Sequence, residues 1–122
     1  FVKFLPNVGK GHIGLYRDEQ TYQPVEYLCK LPKVKNKMVI ILDPMLATGN
    51  SSSAAIDLVK NKGVHINNIK LVSLLAAPEG IKNLKNKQKQ LHIFTCSIDK
   101  SLNKKKFIVP GLGDAGDRYM GT

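Results

Sequence analysis

The feature that most constrains this chain is the run Met38-Val39-Ile40-Ile41-Leu42, followed at once by Asp43-Pro44. Five consecutive apolar residues rich in β-branched types predict a strand buried on both faces of a parallel sheet. Proline has no amide hydrogen for a sheet ladder and pushes the residue before it away from helix, so the strand is expected to stop at Asp43. Thr48-Gly49-Asn50-Ser51 then reads as a small polar turn. From Ser52 to Lys62 the spacing is helical, with Ala54, Ala55, Leu58 and Val59 on one face and Gly63 as the stop. This order sets a carboxylate at the carboxyl end of a strand, beside the free N–H groups of a helix N-terminus. Such an end carries partial positive charge and suits a phosphate. On pattern alone, an ordinary strand-to-helix turn capped by Ser or Thr fits as well.

The strand–helix alternation continues. Ile69 to Leu75 reads as a second buried strand, Ala76-Ala77-Pro78-Glu79-Gly80 as the turn into a helix carrying Ile81 and Leu84, and Leu91 to Thr95 as a third strand. Strand–helix–strand–helix–strand over residues 38–95 predicts an α/β fold, a parallel sheet with flanking helices. Ligands in such sheets bind beyond the carboxyl ends of the strands. Upstream, His12 to Arg17 reads as a strand. Asp18 to Leu31 reads as a β-hairpin, since polar turn formers precede the alternation Val25, Tyr27, Cys29, Leu31.

At 122 residues the chain is one domain at most. Net charge is +10, but the lysines are scattered through stretches such as Lys82-Asn83-Leu84-Lys85-Asn86-Lys87-Gln88-Lys89. These read as a solvated helix face; a nucleic-acid surface would interleave aromatic residues, so nucleic acid is not an expected partner. No apolar run approaches the roughly 18 residues of a membrane span, so no membrane association is expected. Cys29 and Cys96 have no CxxC partner and read as packing residues in a reducing compartment. His12, His65 and His92 lack metal-ligand spacing, and no side chain is expected as a metal ligand.

The second unusual stretch is Phe107-Ile108-Val109-Pro110-Gly111-Leu112-Gly113-Asp114-Ala115-Gly116-Asp117-Arg118. Its crowded glycines, proline and aspartates argue against a regular helix or a central strand. They predict a tight irregular loop whose backbone groups need partners. A planar pyrimidine, alternating carbonyl acceptors with N–H donors, could supply them.

Both stretches resemble one family. Asp43 to Ser51 differs at one position, Asn50, from the uracil phosphoribosyltransferase loop Asp-Pro-Met-Leu-Ala-Thr-Gly-Gly-Ser. Val109 to Asp117 is identical to that family's uracil-recognition motif, and His12 to Asp18 closely matches its Val-Gly-His-Ile-Gly-Leu-Tyr-Arg-Asp. The resemblance implies a type I phosphoribosyltransferase-like fold with a protruding hairpin through which subunits pair, and hence a homo-oligomer. It implies the joining of uracil to phosphoribosyl pyrophosphate in pyrimidine salvage, giving uridine monophosphate and pyrophosphate. By the same resemblance phosphoribosyl pyrophosphate is held by Arg17, Asp43, Pro44, Met45, Leu46, Ala47, Thr48, Gly49, Asn50, Ser51 and Asp114. Uracil is framed by Ile108, Gly113, Asp114 and Ala115, largely through main-chain groups. Asp43 and Asp114 become the candidate catalytic residues.

Pro44 stands where many sugar-phosphate transferases carry a second acid at this turn, so magnesium is expected to be held mainly through phosphoribosyl pyrophosphate and water. Two departures stand out. Phe107 lacks the hydroxyl of the family's tyrosine, and the Asn50 Cβ is expected to crowd a phosphate against the backbone. The chain opens at Phe1, mid-pattern, and does not contain the family's Leu-Arg-Ala-Gly segment, which holds pyrophosphate. It is therefore read as a partial domain, residues 1–122, corresponding to the C-terminal portion of the family and inactive on its own. The alternative is a non-catalytic phosphoribosyltransferase-like subunit of a larger assembly. The expected location is cytoplasmic, or the stroma of a plastid or other organelle.

Overall fold

The structure is a computed structural model and describes residues 2–18, 20–21 and 23–122. Its sheet is built around β5 (Ile69–Ala76), with β6 (His92–Ile98) parallel on one edge. The other edge is shared by β3 (Val39–Leu42) and β4 (Met45–Leu46), also parallel to β5. Proline interrupts the ladder as expected, yet the strand resumes after two residues. The Pro44 carbonyl fills the break by accepting the Leu74 and Leu75 N–H groups, each at 3.1 Å. Helix α1 (Asn50–Asn61) connects β4 to β5, and α2 (Pro78–Lys87) connects β5 to β6.

The helices contribute Ile56, Val59 and Leu84 to a core completed by Leu46, Ile69, Leu71 and Leu91, all essentially inaccessible to solvent. The run at 38–42 departs from expectation here: it is an edge strand, and it is not buried on both faces. Its side chains alternate, Val39 and Ile41 packing on the core while Ile40 and Leu42 are exposed. Leu42, Val72 and Phe94 are register partners across the sheet, and Leu42 and Phe94 are 53% and 54% exposed. A continuous apolar run does not distinguish a strand covered twice from one with an open apolar face.

The hairpin is formed by β1 (His12–Arg17) and β2 (Pro24–Lys30), antiparallel, from His12 opposite Lys30 to Arg17 opposite Pro24. Asp18 to Leu31 is therefore not a hairpin by itself; its first part is the turn, and the partner strand lies upstream. Asp18 Oδ1 organises that turn, accepting from the Gln20 and Thr21 N–H groups at 3.0 and 2.6 Å and from Thr21 Oγ1 at 2.9 Å. These donors, the Thr21 amide first, hold the Asp18 carboxyl below its ordinary range. Glu19 and Tyr22, which the sequence places in this turn, lie outside the described residues. Tyr16 and Tyr27 are exposed along the hairpin, with ring centroids 6.3 Å apart.

The tail is more regular than its composition suggests. β7 (Ser101–Leu102) pairs antiparallel with β8 (Ile108–Val109), the Val109-Pro110 peptide is cis, and α3 (Ala115–Met120) follows. The last four residues of the expected irregular loop are thus helical. Asp114 makes this possible as the N-cap, its Oδ1 accepting from the Asp117 N–H at 3.1 Å. Both cysteines are free. Cys29 is half-buried, whereas Cys96 is exposed rather than packed. Among the described residues, no helix is long and apolar enough to cross a membrane.

Candidate functional site

Three neighbouring strands end at one level. Leu46 pairs with Ala76, and Ala76 pairs with Ile98. From those ends leave, side by side, the turn into α1, the start of α2 and the segment that leads through Asp99 to β7. Asp99 N–H donates to the Ala76 carbonyl at 2.9 Å, holding the third segment against the second.

In the first of these segments Gly49 occupies the left-handed region (φ 80°) and is the N-cap of α1, which opens at Asn50, two residues before the expected start. Its side-chain hydrogen cannot cap anything, and α1 has no side-chain cap and no acid in its first turn. The Ser- or Thr-capped turn is therefore not what forms. Thr48 Oγ1 does accept from the Asn50 N–H, at 3.4 Å. The first-turn amides of a helix lack intrahelical acceptors and concentrate partial positive charge, so this end is suited to an anion. Arg17, at the end of β1, reaches the same place, lining with Pro24, Thr48, Asn50 and Ser51 a cleft of about 60 Å³.

Asp43 lies in the break between β3 and β4 and is half-buried. Its Oδ2 accepts a short hydrogen bond from the Ser52 hydroxyl, and its Oδ1 accepts from the Met45 N–H at 3.4 Å. Met45 is exposed. The Leu46 side chain belongs to the core and the Pro44 carbonyl is taken up in the sheet, so both residues shape the loop from beneath. Ala47 is half-buried, its N–H donating to the Met45 carbonyl at 3.0 Å.

The start of α2 packs on this loop backbone to backbone. A Cβ on Gly80 would lie 2.3 Å from the Ala47 carbonyl oxygen, and one on Gly49 would lie 2.9 Å from the Gly80 carbonyl oxygen. One turn on, Asn83 Nδ2 donates to the Thr48 carbonyl at 2.9 Å and to Asn50 Oδ1 at 3.1 Å. On the other side, Glu79 Oε1 accepts from the Leu102 N–H at 2.9 Å. That bond, with the Lys106 charge as a lesser contributor, holds the Glu79 carboxyl below its ordinary range. The first turns of α2 therefore touch both the phosphate-suited loop and the strand pair that carries the tail loop. Ser52, Glu79, Gly80 and Asn83 were not among the residues singled out from sequence. Asn83 was hidden in a lysine–asparagine run whose lysines are exposed, as expected, and whose Leu84 is in the core; Gly80 could have been suspected as a glycine inside a helical pattern.

In the tail loop, Ile108 is buried, and its carbonyl accepts the Gly113 N–H at 2.7 Å. The Gly111 N–H donates to Asp99 Oδ2 at 2.8 Å. Gly113 therefore has its amide committed within the loop and can offer a base only its carbonyl. Asp114 and Ala115 stand at the opening of α3, whose first amides have no intrahelical acceptor. Phe107 is half-buried, and its N–H donates to Asn103 Oδ1 at 3.0 Å. Among the described residues no group of three His, Cys, Asp or Glu could hold a metal ion.

The family model for uracil phosphoribosyltransferase matches residues 1–122. A curated uracil phosphoribosyltransferase of Clostridium botulinum is 54% identical over 122 residues, covering 99% of this chain and 57% of that protein. One from Rhizobium leguminosarum is 56% identical over 119 residues, 97% of this chain and 56% of that protein. Among solved structures, the AQ2163 protein from Aquifex aeolicus superposes with a TM-score of 0.85 at 41% identity, over 96% of this chain and 55% of that one. The Giardia lamblia APRTase complexed with 9-deazaadenine gives a TM-score of 0.53 at 22% identity, over 76% of this chain and 51% of that one, a likeness of fold alone. The chain thus spans about 57% of the length of the curated relatives it matches.

Proposed function

This chain belongs to the uracil phosphoribosyltransferase family, and we propose that it carries the ribose-phosphate and base sides of the family's site. The reaction joins uracil to phosphoribosyl pyrophosphate, releasing pyrophosphate and forming uridine monophosphate. The observation that carries this reading is the single level at which Leu46, Ala76 and Ile98 end their strands, because it sets the loop, the α2 start and the tail loop beside one another.

The roles are those the family resemblance implies, and the geometry supports them. The amides opening α1 and the Thr48 and Ser51 hydroxyls hold the 5′-phosphate, with Arg17 facing them across the cleft. Asp43, oriented by Ser52, hydrogen-bonds the ribose hydroxyls, and its charge favours the cationic ribosyl carbon that forms as the pyrophosphate leaves. Ile108, the Gly113 carbonyl and the amides that open α3 at Ala115 frame the base. Asp114 lies between base and ribose. Magnesium, when bound, would neutralise the leaving pyrophosphate, held mainly through the oxygens of phosphoribosyl pyrophosphate and water. The exposed Tyr16 and Tyr27 of the hairpin suit subunit pairing, and two free thiols suit a reducing compartment such as the cytoplasm or an organelle stroma.

Calorimetry with phosphoribosyl pyrophosphate followed by uracil or cytosine tests this reading. Cytosine presents an amino donor where uracil has a carbonyl, leaving a backbone donor unpaired at about 1–3 kcal/mol. Uracil should therefore bind about tenfold to a hundredfold more tightly. Equal binding of the two bases, or no binding of phosphoribosyl pyrophosphate, would overturn it.

A further inference from the structure

We propose that Asn83 is a positioning residue for the phosphate-suited loop, latching it to α2 through Thr48 and Asn50. This rests on the reading that residues 48–51 receive the 5′-phosphate.

The Thr48 carbonyl can only accept, so the atom of Asn83 that faces it must be the amide nitrogen. That nitrogen uses its two hydrogens on two acceptors, the Thr48 carbonyl and Asn50 Oδ1. The acceptors stand on either side of Gly49, the one residue of the loop in the left-handed region. Glycine lets that turn form and also leaves it the freest point of the loop. The bond to the Thr48 carbonyl restrains the peptide before Gly49, and the bond to Asn50 Oδ1 anchors the side chain of the residue after it. They thereby fix the direction in which the first amides of α1 point. Gly80 brings α2 close enough for a side chain as short as asparagine to reach.

The same geometry accounts for Asn50. Its backbone φ is not positive, and its side chain is directed to α2, where Asn83 holds it. The residue that stands in place of the family's glycine is thus half of the latch. The expectation that it crowds the phosphate gives way to one in which it orders the loop. All the groups of the latch are partly buried, where an unmet hydrogen bond is costly.

The test uses ribose 5-phosphate and uracil as separate calorimetric probes, with amide exchange followed at residues 50–52. Asn83→Ala should weaken ribose 5-phosphate binding by about tenfold, leave uracil affinity unchanged and speed exchange of those amides. Asn50→Gly should weaken ribose 5-phosphate binding in the parent chain but have no further effect on Asn83→Ala, since the latch is already open. Asn83→Ala that binds ribose 5-phosphate like the parent, or loses both probes equally, would overturn the positioning role. So would additive effects of the two substitutions. A parent chain that binds neither ribose 5-phosphate nor phosphoribosyl pyrophosphate would defeat the underlying phosphate reading, and the latch with it.

Discussion

Gly80 and Ala47 meet backbone to backbone: a methyl group on Gly80 would sit 2.3 Å from the Ala47 carbonyl oxygen. Neither partner can yield by turning a side chain aside, so α2 and the loop after β4 share one fixed separation. Gly80→Ala would gain roughly 1 kcal/mol of helix propensity. It would lose about 1–3 kcal/mol by overpacking, and α2 would move off the loop. The expected result is a lower urea midpoint together with weaker ribose 5-phosphate binding. A Gly80→Ala chain that is more stable and binds equally well would show that the contact relaxes freely.

Ser52 is buried and donates to Asp43. Ser52→Ala removes a hydrogen bond to a charged group, a loss of about 1.5–3 kcal/mol. Asp43 then loses the hydrogen bond that fixes its orientation for the proposed contact with the ribose, while the base loop is untouched. Ribose 5-phosphate affinity should fall and uracil affinity should hold. If ribose 5-phosphate binds unchanged, Asp43 is not oriented through Ser52.

Acid should loosen the tether between α2 and β7. The folded Glu79 carboxyl titrates below its ordinary value because the Leu102 N–H favours its charged form. Its contribution is present above the ordinary glutamate range, near pH 4.3, and is lost as pH falls through the lower folded value. The Leu102 amide resonance should shift in that window. Glu79→Gln keeps an acceptor without a charge and should abolish the step. A step that survives in Glu79→Gln would place the titrating group elsewhere.

Leu42, Leu74 and Phe94 are 53%, 60% and 54% exposed on the sheet. Apolar surface of this kind marks an interaction face. The 122-residue chain should bind a hydrophobic dye, and Leu42→Gln with Phe94→Gln should reduce the signal while leaving ribose 5-phosphate binding intact. Unchanged dye binding would locate the apolar site elsewhere.

The roles proposed for these residues cover the 5′-phosphate, ribose and base but not the pyrophosphate. Orientation of a leaving group can supply on the order of 7–11 kcal/mol of a barrier. Ligand binding without measurable uridine monophosphate formation is therefore the expected behaviour of the 122 residues alone. Full turnover, with mass spectrometry confirming the chain's ends, would mean that one of these residues also holds pyrophosphate.

Sequence alone determined the local order. Apolar runs marked β3, β5 and β6, helical spacing marked α1 and α2, and the small-residue turn placed Gly49 at the mouth of α1. These signals are local, since periodicity and turn chemistry act over a few neighbouring residues. Tertiary structure decided the rest: that β3 is an edge with one open apolar face, that the Gly113 amide is already taken by Ile108, and that an Asp114 cap makes the end of the tail helical. It also decided that Asn83, 35 residues from Thr48 in the chain, closes on the loop while its lysine neighbours face water. A hydrogen bond between distant segments leaves no periodic trace, because what selects it is the separation that packing imposes. Here that separation is set by Gly80 against Ala47.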